Sequence, residues 1–139
     1  MASIPKKKRL FVAERAYSCC EYCISQEKYS PDYFSVEHII PQIKDGTDEV
    51  LNLAYSCLAC NSHKYISTKA LDPVSGIIYP LYNPRTDTWA SHFRWSVDYT
   101  QILGITPTGR ATIEKLRLNR PNVINLRVVL STIGKHPPY

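Results

Sequence analysis

The chain has 139 residues, of which 44% are hydrophobic and 21% charged, and it carries a net charge of +5. This length suits one domain, or a small domain with an extension, and is too short for two full-sized cores. The composition is that of a globular protein and excludes a mainly disordered chain. No stretch approaches the ~20 apolar residues of a membrane span and no secretory leader is recognisable, so we expect a soluble, cytoplasmic protein that does not bind membranes.

The positive charge is concentrated in the second half of the chain. Residues 1–72 contain nine Lys/Arg and nine Asp/Glu, whereas residues 73–139 contain eight and three. A basic segment of this kind attracts polyanions, although a solvated helix face without a partner explains the charge equally well. The candidate phosphate contacts in this half are Arg110, Lys115, Arg117, Arg120 and Arg127.

The first half of the chain is predicted to contain two helices and a pair of strands. Apolar residues at helical spacing indicate a helix that begins at Pro5, a favoured first-turn residue. Alternating β-forming residues indicate two strands that enclose a polar loop. In chain order these elements are a helix over 5–18, a strand over 33–40, the loop over 42–50, a strand over 51–56 and a helix over 60–69.

Beyond Pro73 the sequence changes to short segments that are separated by turn residues. We expect a strand at 77–81 and a hairpin formed by 93–99 with 101–105. Two helices follow, one over 106–119 and one from Pro121 onward. The predicted organisation is a module at residues 1–72, followed by a basic extension at residues 73–139 that packs on the module and offers a possible DNA-binding surface.

Four of the five cysteines form two closely spaced pairs, Cys20 with Cys23 and Cys57 with Cys60. Two such pairs supply the four thiolates of a closed, tetrahedral zinc site, which is structural because it leaves no open position. Two redox pairs or buried thiols are the alternatives, and disulfides are a poor explanation without a secretion signal. We therefore expect a structural Zn²⁺ ion, and we assign no role to Cys19.

A second metal site, with oxygen ligands, is predicted where the first strand ends. Glu37 lies at that end, and Asn61 opens the helix that follows the second cysteine pair. A strand–loop–strand–helix unit brings the strand end opposite the first helical turn, so that a carboxylate and an amide oxygen meet. Oxygen ligands with positions left for water suit Mg²⁺ or Mn²⁺.

His38 is the candidate general base. Successive side chains on a strand point in opposite directions, so His38 can stand beside an ion held by Glu37 without binding it. A neutral imidazole can take a proton from water at physiological pH, while the metal stabilises the charge that develops on a phosphate. Asn52, on the returning strand, is placed to hold the loop or the imidazole by hydrogen bonds. This is a one-metal phosphodiesterase in outline.

The order of these motifs resembles that of the HNH endonucleases, whose catalytic unit is the ββα-metal finger. The resemblance covers roughly residues 10–70 and rests on CxxC, Glu-His-Ile-Ile-Pro, Asn-Leu and CxxC-Asn-x-x-Lys. It implies an α+β fold, with the finger braced by a four-cysteine zinc site, an N-terminal helix and a C-terminal extension of short strands and two helices.

By this resemblance His38 matches the general base, Glu37 and Asn61 hold the catalytic metal, and Asn52 matches the middle asparagine of an H-N-N variant. Residues 92–121 resemble, more loosely, the tail of small bacterial HNH proteins, many of them cyanobacterial. The chain departs from the commonest pattern at Glu37, where aspartate is usual, and at Asn61, where a second histidine is usual.

His63 is the alternative second histidine. It lies two residues after Asn61 and therefore about 200° around a helix, so that both side chains cannot face the same ion. We favour Asn61 as the ligand and expect His63 to be a surface residue or a phosphate contact.

The sequence therefore predicts a metal-dependent bacterial DNA endonuclease. Lys64 and the basic residues of the extension are expected to contact DNA phosphates. The main alternative is a non-catalytic zinc-knuckle module that binds nucleic acid, and a thiol-redox protein would leave Glu37, His38 and Asn52 unexplained. A monomer and a homodimer both remain open.

Overall fold

The computed structural model describes residues 4–139, so the first three residues of the predicted module lie outside the described part. Within these residues the chain forms five α-helices and six short strands. The strands pair as three separate two-stranded antiparallel ribbons, which confirms the α+β class.

The first helix, α1, spans Lys6–Arg15 and begins directly after Pro5. Val12 on this helix is fully buried. Arg15, in the last turn, donates hydrogen bonds to the main-chain oxygens of Val50 and Leu53 at 3.0 and 2.7 Å. These bonds attach α1 to the chain where the second strand begins.

The predicted strand pair and its helix form the centre of the structure. β1 (Ser35–His38) and β2 (Leu53–Ser56) are antiparallel, with His38 opposite Leu53 and Ser35 opposite Ser56. The next helix, α2, spans Leu58–Lys64. At rises of about 3.4 Å per strand residue and 1.5 Å per helical residue, the ribbon and the helix each span about 10 Å. We call β1, β2 and α2 the ββα unit.

The second predicted helix differs from the observed one at both ends. α2 begins earlier, after Cys57, whose sulfur accepts a hydrogen bond from the main-chain N–H of Cys60 at 3.4 Å. It ends earlier because Tyr65 takes a non-helical conformation with a positive φ of 51°. The residues expected to continue it lead instead into an unpredicted strand, β3 (Lys69–Leu71), which pairs with β4 (Ile78–Pro80).

The C-terminal elements agree with the predicted hairpin and two helices, apart from one short helix that was not predicted. Pro107 and Pro121 begin the last two helices, where the fixed φ of proline suits the first turn. The elements are α3 (Trp89–His92), β5 (Phe93–Trp95), β6 (Ile102–Gly104), α4 (Pro107–Leu116) and α5 (Pro121–Thr132).

One buried cluster joins the two predicted parts of the chain. It includes Val12, Tyr22 and Leu53 from the first part and Phe93 and Leu116 from the second. The extension therefore packs against the ββα unit, while the division at residue 72 stays a prediction. Across residues 4–139, every helix is too short or too polar to cross a bilayer.

Candidate active site and metal centre

The four predicted zinc ligands come together where β2 leads into α2. The sulfur atoms of Cys20, Cys23, Cys57 and Cys60 all lie within 4.8 Å of one another, and all four residues are buried. Cys23 Sγ and Cys57 Sγ are 3.7 Å apart. A tetrahedron with Zn–S bonds of about 2.3 Å has sulfur atoms about 3.8 Å apart, so the cluster fits a zinc ion.

Two tight turns direct these sulfur atoms inward. In the first, the main-chain N–H of Cys20 bonds to the oxygen of Ser25 at 2.8 Å, and that of Ile24 bonds to the oxygen of Cys20 at 2.9 Å. In the second, Cys57 caps α2. Because Cys23 and Cys57 are 34 residues apart, a bound ion would fasten together two distant parts of the chain.

His38 lies at the opposite end of the ββα unit, and its side chain is 22% exposed. Its Nε2 is 2.6 Å from Asp48 Oδ1, and the same oxygen accepts a hydrogen bond from Gln42 Nε2 at 2.9 Å. An ionised carboxylate can only accept, so the neutral imidazole carries its proton on Nε2 and presents a lone pair on Nδ1.

Asp48 is a site residue that sequence reasoning missed. It lies in the polar loop between β1 and β2, and its main-chain oxygen accepts a hydrogen bond from Lys8 Nζ at 2.7 Å. The hydrogen bond from His38 holds the pKa of Asp48 below its usual value, so the carboxylate stays ionised at neutral pH. Asp45 and Glu49 share this loop, and nothing in the spacing indicates which of the three acids meets His38.

Asn52 holds the loop, which is one of its two predicted roles, and does not bond to the imidazole. Its side chain accepts a hydrogen bond from the N–H of Ile40 at 2.9 Å and donates to the oxygens of Ile40 and Thr47 at 2.9 and 2.8 Å. Gly46 allows the loop to close, because a Cβ atom at this position would lie 1.6 Å from the main-chain oxygen of Ile40.

Glu37 is buried, and both of its carboxylate oxygens have partners. Oε1 accepts a hydrogen bond from the Tyr22 hydroxyl, and Oε2 accepts one from Lys64 Nζ at 3.2 Å. Lys64 also donates to the main-chain oxygen of Ile39 at 2.9 Å. Burial raises the pKa of Glu37, although the ammonium of Lys64 opposes this shift. Burial, and then the charge of Glu37, raise the pKa of Tyr22 well above its usual value.

The predicted residues Glu37, His38 and Asn61 line one open cleft of about 540 Å³. Asn61 Nδ2 donates to Ser35 Oγ at 3.2 Å, and within residues 4–139 its Oδ1 has no hydrogen-bond donor. Mg²⁺ and Mn²⁺ bind oxygen ligands of this kind, so the two oxygen-bearing side chains on this cleft suit either ion. The ammonium of Lys64 would compete with the ion for the Glu37 carboxylate.

A larger cavity lies elsewhere in the described residues. Its volume is about 1170 Å³, and it is lined by exposed tyrosines, among them Tyr17, Tyr33 and Tyr139. It contains none of the predicted site residues, so cavity size alone does not locate the chemistry.

The side chains of two predicted phosphate contacts are buried, which argues against that role. Lys64 and Arg127 are only 1% and 3% exposed. Lys64 is paired with Glu37, and Arg127 donates to the main-chain oxygens of Cys23 and Leu118 at 3.3 and 2.7 Å. Neither charge can reach a nucleic acid at the surface.

Two further arginines of that set are held by internal partners. Arg110 donates from Nε and Nη2 to the two carboxylate oxygens of Asp72, each at 2.9 Å. Arg120 donates to the sulfur atoms of Cys57 and Cys60. Their predicted contacts with phosphate are therefore not supported by their positions.

Lys115 and Arg117, at the end of α4, form no side-chain ion pair within the described residues, and their contact with phosphate stays a prediction. α4 packs against α2, and burial, followed by the charges of Arg117, Arg120 and Lys115, lowers the pKa of His63. His63 is not among the residues that line the cleft, whereas Asn61 is. This placement favours Asn61 over His63 as the second oxygen or nitrogen donor near Glu37.

Comparison with known proteins identifies the same segment. The family model described as HNH endonuclease matches residues 20–65, which include both cysteine pairs, His38 and Asn61. No curated protein and no solved structure matches the chain. Residues 20–65 therefore match the HNH endonuclease domain, and their cluster of four cysteines fits the zinc-binding type of that domain.

Proposed function

We propose that this protein is a divalent-metal-dependent DNA endonuclease in which His38 takes a proton from the attacking water. The HNH domain by itself indicates a nuclease-type or nucleic-acid-related function. The observation that carries the finer proposal is that His38, oriented by Asp48, lines the same cleft as Glu37 and Asn61.

The contact with Asp48 prepares His38 for proton transfer. With its Nε2 proton donated to the carboxylate, His38 presents Nδ1 as the basic atom. When Nδ1 takes up a proton, the negative charge of Asp48 stabilises the resulting imidazolium. Gln42 shares the same carboxylate oxygen and helps to keep Asp48 in place.

Glu37 and Asn61 would hold the Mg²⁺ or Mn²⁺ ion, whose charge would stabilise the phosphate oxygens during cleavage. Tyr22 and Lys64 fix the direction of the Glu37 carboxylate by their hydrogen bonds. Lys115 and Arg117 would contact phosphates outside the cleft, because both side chains lie at the end of α4 without an ion-pair partner among residues 4–139.

The test is nicking of supercoiled plasmid DNA with Mg²⁺ or Mn²⁺, with EDTA as the metal-free control. His38→Ala should lower the rate by a factor of about 10²–10⁴, the usual contribution of a positioned general base. Circular dichroism and zinc content should stay those of the original protein. Full activity in this variant would remove His38 as the base.

Two further variants separate the roles of neighbouring residues. Asp48→Asn should retain an activity between those of the original protein and His38→Ala, because the base remains but loses its oriented partner. His63→Ala, on the other face of α2, is the matched histidine control and should cut normally. An inactive His63→Ala with native folding would return His63 to the list of candidate metal ligands.

A non-catalytic nucleic-acid-binding module is the second candidate, and one observation favours it. Both oxygens of Glu37 are already bonded to Tyr22 and Lys64, which competes with a divalent ion. A gel-shift assay run beside the plasmid assay distinguishes the two functions. DNA binding without nicking under any divalent ion would establish the binding module and exclude the nuclease.

A further inference from the structure

We propose that the C-terminal part of the chain completes the four-cysteine metal centre, with Arg120 as a positioning residue that donates hydrogen bonds to two of the zinc ligands. The proposal concerns the structural metal and does not depend on nuclease activity. It gives a role to an arginine that the charge pattern had assigned to DNA.

The contacts of Arg120 are made by two different nitrogen atoms to two different sulfurs. Nη2 is 3.4 Å from Cys57 Sγ, and Nη1 is 3.6 Å from Cys60 Sγ. Nη1 also donates to the main-chain oxygen of Arg117 at 3.1 Å, which fixes the plane of the guanidinium. A planar fork of donors suits two adjacent thiolates in a way that a single ammonium does not.

The balance of charge supports the same conclusion. Four thiolates around Zn²⁺ carry a net charge of about −2, and all four cysteines are buried. Within residues 4–139 neither Arg120 nor Arg127 forms a salt bridge with a carboxylate, although Arg127 is only 3% exposed. Buried cations require a compensating anion. The zinc–thiolate centre supplies it, with Arg120 on two sulfurs and Arg127 on the main-chain oxygen of Cys23.

Arg120 is distant in sequence from the cysteines, so it reaches their sulfur atoms only when the whole chain is folded. It lies 60 residues after Cys60, at the residue that precedes α5. The two cysteine pairs alone therefore lack a hydrogen-bond donor that the folded protein provides. Outer partners of metal ligands typically change metal affinity by about 10–100-fold when they are removed.

The experiment compares Arg120→Met and Arg120→Lys with Lys115→Met, which removes a positive charge from the neighbouring helix without touching a sulfur. Zinc affinity is measured on the full chain by competition with a chromogenic chelator. We expect a loss of about 10–100-fold for Arg120→Met, a smaller loss for Arg120→Lys and the original affinity for Lys115→Met.

A spectroscopic measurement separates this role from a general effect on folding. Hydrogen bonds lower the energy of sulfur lone pairs, so the thiolate-to-metal charge-transfer band of the Co²⁺-substituted protein should move to longer wavelength in Arg120→Met. If Arg120→Met does not fold with excess metal, the zinc affinity and the Co²⁺ charge-transfer band of Arg120→Lys test the proposal instead. Unchanged zinc affinity and an unchanged band in the Arg120 variants would overturn the proposal.

Discussion

The two ends of the ββα unit are built for different tasks. At the zinc end, four cysteines are buried and two of their sulfurs accept hydrogen bonds from Arg120. At the cleft end, His38 is 22% exposed and Asp48 is 44% exposed, and Glu37, His38 and Asn61 line an open space. A closed metal centre contributes to stability, whereas a partly exposed imidazole beside two oxygen-bearing side chains is accessible to water. Substitutions at the two ends of the ββα unit should therefore affect different properties of the protein.

The largest effect should come from opening the zinc end. Cys20→Ser removes one of four thiolate ligands, and structural zinc sites have apparent binding free energies of about 10–16 kcal/mol, part of which is folding free energy. We expect the variant to lose its zinc and to unfold at a much lower temperature. Atomic absorption and thermal unfolding followed by circular dichroism measure both effects.

Cys19→Ser is the matched control, because Cys19 is the adjacent cysteine, is also buried and lies outside the four-sulfur cluster. It should keep one zinc ion and a similar melting temperature. If both serine variants retained zinc, or if the original protein contained none, the assignment of the metal centre would be wrong.

An effect of intermediate size on stability is expected from the ion pair of Lys64 with Glu37. Both side chains are almost fully buried, and Lys64→Met would leave the Glu37 carboxylate without its counter-ion. Breaking a buried pair from one side typically costs about 3–5 kcal/mol, so the free energy of unfolding in urea should fall by that amount. The exposed Lys69→Met is the control and should change stability by less than about 0.5 kcal/mol.

The double variant Lys64→Met/Glu37→Gln tests whether the loss is electrostatic. It removes the unpaired charge, so it should recover part of the stability that Lys64→Met loses. If the double variant were less stable than Lys64→Met alone, the loss would arise from packing and not from an uncompensated carboxylate.

The features that could be predicted from the sequence are those that depend on residues close together in the chain. The cysteine pairs, Pro5, Pro107 and Pro121 each act on residues only a few positions away, so the knuckles and three helix starts could be predicted. The helix after the second cysteine pair was predicted to end too late, because its end depends on the positive φ of Tyr65 and on a strand pairing across a turn.

The candidate site could be predicted only in part, for a related reason. Glu37, His38 and Asn61 follow from the motif, and the fold brings them to one cleft. Asp48 could not be chosen from three acidic residues in its loop without the hydrogen bonds of Asn52 that shape the loop. Charge alone likewise could not distinguish an arginine that faces solvent from Arg127, which is buried and donates to the main-chain oxygen of Cys23.

The smallest expected effect is a pH dependence of stability that arises at His136. His136 is buried, its ring centroid lies 4.7 Å from that of Trp95, and its Nε2 is 2.8 Å from the main-chain oxygen of Tyr99. Burial lowers the pKa of His136, and the charge of Arg127 lowers it further, against the opposing hydrogen bond to Tyr99. The folded protein therefore binds a proton at this site less readily than the unfolded chain does.

The sign of the effect follows from that difference. As the pH falls below about 6.5, the ordinary pKa of histidine, the unfolded chain takes up the proton first, so the stability of the fold decreases until the lowered pKa of the folded state is passed. Urea unfolding between about pH 7.5 and 5.5 should show a larger loss for the original protein than for His136→Gln, which cannot titrate there. The contribution of His63 is common to both chains and cancels in the difference. Parallel curves for the two proteins would show that the ring of His136 is solvated, and its packing against Trp95 would then be looser than the centroid distance of 4.7 Å implies.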